Sequence, residues 1–277
     1  MKDSLKKRYF YKLSTNLAGL GIGALIQAVV PRGLGPKAYG DYNFLTNFFT
    51  QIINFFDTGS SMGFYTKVSQ RPREFKLVSF YFYFSAMVAL IIVSFVALTQ
   101  SVALSGVLWP NQYLAYVYMA SFLGILVWIS NIMTRIADAY GLTVSAEKAK
   151  IFQKLFGLAV LVILFSWNKL SLAIFFLYNY CILALFTGIF WIIFKKNGYD
   201  IFQNWKIAFP ELKRYTIELY EYSHPFFLFG LVAMIAGIFQ RWLLQVCAGS
   251  VQQGFFGLSY QIGAICFTFT SAMTPLI

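Results

Sequence analysis

Residues 77–100 read LVSFYFYFSAMVALIIVSFVALTQ without one charged side chain, and the gap extends further: no Asp, Glu, Lys or Arg occurs between Lys76 and Arg135. A membrane span takes about 20 mostly apolar residues, so this interval holds two. The rest of the chain has the same character. Of its 277 residues 59% are hydrophobic and only 12% charged, which excludes an average water-soluble domain. Aromatics make up 20%, with 31 Phe and 18 Tyr, as suits a lipid-facing surface with ring-rich interfaces.

The apolar runs predict eight spans, near Leu13–Val30, Tyr42–Thr66, Leu77–Leu98, Tyr113–Met133, Ile151–Trp167, Leu170–Phe194, Pro225–Val246 and Phe255–Ile277. The expected fold class is therefore an all-α polytopic membrane protein of about eight transmembrane helices. The first two spans are the most polar, with Ser14, Thr15, Asn16, Gln27, Asn43, Asn47, Gln51, Asn54 and Asp57. Polar spans usually face a cavity or other helices.

A formal charge of +12 suits nucleic acid only where the basic residues form one exposed face. Here they cluster between apolar runs instead. The N-terminus and the loops after spans two, four and six, each counted with the first turn of the following span, carry 18 of the 22 Lys and Arg; Lys148 and Lys150 precede span five and Lys154 lies in its first turn. Arg32, Lys37, Lys169 and Arg241 lie on the other side. The bias places the N-terminus in the cytoplasm. Met1 to Lys12 lacks a small-residue cleavage site, so no cleaved signal peptide is expected. Cys181, Cys247 and Cys266 show no C-x-x-C spacing and are expected as buried free thiols, with no metal.

The longest connection, Lys195–His224, falls on the cytoplasmic side. Its Pro210-Glu211-Leu212-Lys213-Arg214 run before Tyr215–Tyr222 predicts an interfacial helix on acidic headgroups or, equally, a solvated linker.

The loop after span one has an echo. Gly35-Pro36-Lys37-Ala38-Tyr39-Gly40-Asp41-Tyr42 returns 214 residues later as Gly249-Ser250-Val251-Gln252-Gln253-Gly254-Phe255-Phe256, sharing Gly, four residues, Gly, one residue, aromatic. Both follow an odd-numbered span, the relation of two parallel repeats about an axis along the membrane normal. Six helices per repeat follow. The expected domains are then a six-helix N-terminal lobe (1–194), a cytoplasmic linker (195–224) and the first two helices of a second lobe (225–277). No Lys or Arg follows Arg241, so the second half is expected to be cut short or degenerate.

Val30-Pro31-Arg32-Gly33-Leu34-Gly35-Pro36-Lys37-Ala38-Tyr39-Gly40-Asp41-Tyr42 resembles the first extracytoplasmic loop of Wzx-type oligosaccharide flippases, of the multidrug/oligosaccharidyl-lipid/polysaccharide exporter superfamily, with its Arg-x-Leu-Gly-Pro-x-x-Tyr-Gly-x-Tyr pattern. Phe56-Asp57-Thr58-Gly59-Ser60 through Lys67-Val68-Ser69 is similar to the family's Asp-x-Gly run, and Arg135-Ile136-Ala137-Asp138-Ala139-Tyr140-Gly141 also fits. Two departures stand out. Gln240-Arg241 occupies the place of a family Asp-Arg pair, and members usually have 12 to 14 spans.

The resemblance implies a carrier that moves a polyprenyl-diphosphate-linked oligosaccharide across the inner (cytoplasmic) membrane for O-antigen, capsule or exopolysaccharide synthesis. No cofactor is implied. The partners would be the lipid-linked oligosaccharide, membrane lipids and other polysaccharide-assembly membrane proteins. A diphosphate must exchange water for protein cations, and Arg suits this through bidentate contacts. Arg32 and Arg241 are the candidates; snorkelling to the outer interface is the other reading of both. Asn16, Gln27, Asn47 and Asn54 present amides to sugar hydroxyls or bridge helices. Asp57, in an apolar context, is a coupling group or a helix-end carboxylate for Lys67 or Arg71. Arg135 and Asp138, three apart, share a helical face as a gate or a surface pair. His224 reads as a structural residue beside Pro225.

Three other functions compete. A drug or small-cation exporter of the same superfamily predicts an acidic cleft. A membrane-embedded glycan-processing enzyme needs convergent catalytic groups, and the outer loops hold one acid, Asp41, and no His. A scaffold tolerates an apolar interior throughout.

Overall fold

The computed structural model describes residues 4–72, 74–199 and 206–273, and only the backbone of residues 5 and 265–273. Lys2, Arg73, the side chain of Cys266 and the end of the eighth expected span at Ile277 lie outside the described residues. Among these residues every regular element is helical: α1 (Leu5–Asp57), α2 (Ser60–Gln70), α3 (Phe75–Ser101), α4 (Ser105–Leu108), α5 (Leu114–Ala139), α6 (Thr143–Ser166), α7 (Leu172–Lys196), α8 (Phe209–Ser223), a 3-10 turn His224–Phe226, and α9 (Phe227–Met273). Six stretches are long and apolar enough to cross a membrane: 6–57, α3, α5, α6, α7 and 209–264.

A straight helix of 53 residues would run about 80 Å, and α1 does nothing of the kind. Lys12, near its start, pairs with Asp138 (3.1 Å), while Asp57, at its end, pairs with Arg135 (3.6 Å). Those two α5 residues are one turn apart, so α1 folds back on itself. The turn is Gly35, with φ 74° and ψ 165°, the only non-helical backbone inside the element. Glycine alone adopts that region cheaply, and Pro36 opens the second arm where its missing N–H costs nothing. The expected loop 31–41 is therefore helical on both sides of a single residue. Two helical arms meeting at a glycine leave few backbone polar groups without partners, which is what an apolar surrounding demands.

α9 repeats the device at Gly249 (φ 77°, ψ −177°). Its first arm runs antiparallel to the second arm of α1: Gly230 packs on Thr58 and Gly237 on Gln51. Its second arm returns, with Gly257 against Asn43. Small residues let these backbones approach closely, the usual means of helix association where lipid removes the hydrophobic drive.

Two expected boundaries change. Span two ends at Asp57, and Gly59 (φ 79°) separates it from α2. α6 begins at Thr143, which moves Lys148 and Lys150 from a loop into a helix and sets Lys154 about three turns in. Cys181 and Cys247 are free but exposed rather than buried: a thiol on a span finds its apolar surroundings in lipid without protein cover.

The helix in the long connection forms, and protein groups hold its charges. Glu211 of α8 pairs with Lys76 (2.9 Å), and Glu218 with Lys67 (3.5 Å) and Arg71 (3.3 Å). In return Glu74, between α2 and α3, accepts from Arg214, Tyr215 Oη (2.6 Å) and Arg71 (3.5 Å). Single exposed pairs contribute about 1 kcal/mol or less; a shared network does better. Partial burial alone would raise the Glu74 carboxyl, but Tyr215, Arg214 and Arg71 outweigh it and hold the group below its ordinary 4.5. A depressed carboxylate contributes stability that is complete above the ordinary value and disappears as pH falls through the folded one. Acidification from pH 7 to below the ordinary carboxylate value of 4.5 is therefore expected to lower the amide protection factors across 209–223, once the slower intrinsic exchange in acid is divided out, and Glu74→Gln to lower them already at pH 7. Protection in α8 that ignores both changes would refute the clamp.

Candidate functional site

The two glycine turns meet. A methyl group on Gly40 would overlap the carbonyl oxygen of Ser250 and approach Gly254 N to 2.8 Å; one on Gly254 would overlap the carbonyl oxygen of Pro36 and lie 3.4 Å from Gly40 N. The contact is reciprocal under the 214-residue offset, which carries Pro36 onto Ser250 and Gly40 onto Gly254. Gly257 against Asn43 completes the series, because these too are equivalents. The repeat read from three matching positions thus has matching turns, nearly identical in φ and ψ, and a shared two-fold contact.

The same offset relates two polar pairs. Tyr39 Oη donates to Gln27 Oε1 at 2.8 Å across the first turn. Across the second, Arg241 Nη1 reaches Gln253 Oε1 at 3.4 Å, and Gln253 Nε2 donates to the Arg241 carbonyl oxygen. Arg241 therefore stands where the first half has Gln27. It is 8% exposed, with the Phe256 ring 4.3 Å and the Tyr260 ring 5.5 Å from its guanidinium carbon. Ring faces offset part of the cost of burying a cation. Among the described residues no carboxylate pairs with it.

Arg32 is exposed at the end of the first arm, without an ion pair or hydrogen bond among the described residues; the two arginines do not share an environment. Asn16 is exposed, and Asn47 Nδ2 donates to the Gly237 carbonyl at 3.2 Å, tying α1 to α9. Asn54 has an exposed side chain, and its carbonyl accepts from Thr58 Oγ1 at 2.6 Å.

Arg135 and Asp138 do not pair with each other. Asp57 accepts from Trp128 Nε1 (2.8 Å) and Tyr81 Oη (3.5 Å) and faces Arg135, while Ser60 Oγ lies 3.1 Å from Tyr81 Oη. Asp138 takes Lys12 on one oxygen, its other oxygen is buried without a partner, and its carbonyl accepts from Arg8 at 3.1 Å. Each residue thus ties α5 to a different arm of α1.

Several of these partners were not anticipated from sequence. Trp128, Tyr81, Phe256 and Tyr260 are ordinary aromatics in apolar runs, and only folding brings them to a charge. Gln253 had a signal, its place in the echo beside Gly254. No group of three or more His, Cys, Asp or Glu able to hold a metal occurs among the described residues.

The family model described as polysaccharide biosynthesis protein matches residues 5–275. No curated protein and no solved structure matches the chain.

Proposed function

Because the chain belongs to the polysaccharide biosynthesis protein family, we propose that this multi-pass transport protein moves a polyprenyl-diphosphate-linked oligosaccharide across the cytoplasmic membrane by alternating access. On this reading both folded-back helices cross twice, giving eight crossings with the N-terminus in the cytoplasm. Residues 1–194 form one lobe and 225–277 belong to the other, with 195–224 between them. The Gly40/Gly254 contact closes the outer side, and opening it passes the glycan on. The chain works by binding and rocking, without bond chemistry. Asp57, Arg135 and Asp138 couple the two arms of α1 to α5 as the lobes move, and Asn16, Gln27, Asn47 and Asn54 offer amides to the glycan.

One observation carries the proposal: Arg241 is buried with aromatic and amide neighbours and no carboxylate among the described residues. A mid-membrane Arg costs about 2.5–3.5 kcal/mol on insertion scales, and an anionic ligand offsets that cost with charge-assisted hydrogen bonds. A small-cation exporter needs an available acid instead, and Asp57 is already occupied by Trp128, Tyr81 and Arg135.

The test is glycan display at the cell surface. Arg32→Ala and Arg241→Ala are expected to reduce export with protein level unchanged, Arg241→Ala by at least about tenfold, the worth of one charged hydrogen bond. Arg241→Lys should recover part of it. Normal surface polysaccharide in the double alanine variant removes both arginines from the transport path.

A further inference from the structure

Lys154 is exposed on the wrong side of its helix. The outward stripe of α6 is Phe152, Leu155, Phe156, Ala159, Val162 and Ile163, all exposed. At 3.6 residues per turn Lys154 lies roughly 140° around from the middle of that stripe. Its own face is covered below by Glu147 (1% exposed) and above by Gly157 and Leu161. An open lysine between buried neighbours, on the face turned to α1, leaves an accessible hollow at the helix surface there.

α1 shapes that hollow. The Lys154 chain lies along Gly19, where a methyl group would overlap its ammonium. One turn further along the arm, a methyl on Gly23 would meet nothing within 4 Å. Asn16, three residues before Gly19, is also exposed. No direct partner holds the ammonium: Glu147 gives one oxygen to Lys150 at 2.7 Å, its other oxygen is buried without a hydrogen bond and attracts Lys154 only through space, and among the described residues Lys154 has no hydrogen bond or ion pair. The backbone of Lys154 stands about 16 Å along α6 from Thr143, beyond the loop that precedes the helix.

We infer that Lys154, in the notch left by Gly19 and with Asn16 beside it, is an anion-binding station for a phosphate-bearing ligand, cytoplasmic to the Arg241 position. The assignment rests on the proposed transport of a diphosphate-linked substrate. It gives that substrate a first cation near the cytoplasmic end and Arg241 as the second, about 16 Å further on by the spacing of Asn16 and Gln27 along α1.

The experiment measures binding of inorganic pyrophosphate, farnesyl diphosphate and farnesol to the full chain in lipid nanodiscs. Lys154→Gln is expected to weaken both diphosphates by about tenfold or more and to leave farnesol unchanged. Lys154→Arg should stay within a few-fold of the parent. Gly19→Ala has only a flexible side-chain end to displace, so it should keep the thermal midpoint yet weaken the diphosphates as Lys154→Gln does. Diphosphate binding equal to the parent in Lys154→Gln overturns the station. If that variant is unaffected while Arg241→Ala loses farnesyl diphosphate, the transport reading survives alone. If Lys154 governs pyrophosphate but farnesyl diphosphate binds no tighter than pyrophosphate, the station stands and the lipid-linked substrate falls.

Discussion

Gly40→Val is expected to abolish glycan export while the protein still reaches the membrane. The added side chain meets the Ser250 carbonyl and the Gly254 amide, and backbone, unlike a lysine tip, has no rotamer to move out of the way. Overpacking of this kind costs about 1–3 kcal/mol. At 1.4 kcal/mol per factor of ten, that shifts the balance against the closed contact by roughly ten- to a hundredfold. Gly254→Val should do the same from the opposite side, meeting the Pro36 carbonyl. The double variant should be little worse than either single one, because both break one shared contact. Export reports the functional loss. Labelling of Ser250→Cys by a membrane-impermeant maleimide, with Cys181, Cys247 and Cys266 all replaced by Ala, reports the opening and should accelerate. Unchanged labelling with full export in Gly40→Val would dispose of the gate.

Asp57→Ala should produce the largest loss of stability among the polar variants. It strips one acceptor from both Trp128 and Arg135 and leaves Tyr81 with Ser60 alone. Removing one partner of a fully buried pair costs about 3–5 kcal/mol. Here the side chains are 22% and 37% exposed, so water screens part of the loss and about 1–3 kcal/mol is the expected range. Asp57→Asn keeps an oxygen for the Trp128 indole and should lose less. A double-mutant cycle with Arg135→Gln isolates the ionic part, expected to favour the pair. A midpoint in Asp57→Ala equal to the parent would mean that the network carries no load.

The lipid-spanning character was legible in the gap from Lys76 to Arg135 because hydrocarbon tolerates little else. The echo at Gly35 and Gly249 was legible because a sharp turn between helices needs a residue free to take positive φ. What it connected was not. Nothing in the string says that Gly40 faces Gly254, since contact across 214 residues depends on how both arms pack. Lys154 was hidden for a different reason. A charge count groups basic residues near span ends with the loops, and only the start of α6 at Thr143 shows this one to lie about three turns into its helix. Asp57 was visible as an odd acid, but its partners proved to be Trp128 and Arg135 rather than Lys67 or Arg71, which turn to Glu218. The run at Pro210 did foretell a helix. Its pairing with the α2–α3 connection was invisible, because Glu74, Glu211 and Glu218 read as ordinary surface acids until they are placed opposite Lys67, Arg71, Lys76 and Arg214.

A reciprocal contact of the Gly40/Gly254 kind is what two identical chains make in a symmetric dimer. Joined in one polypeptide, the copies escape identity, and here they have done so at one telling place, Gln27 against Arg241. A dimer of like segments carries two guanidiniums there or none. A single polypeptide carrying both segments is free of that constraint and holds one buried guanidinium where a symmetric pair of chains would hold two or none.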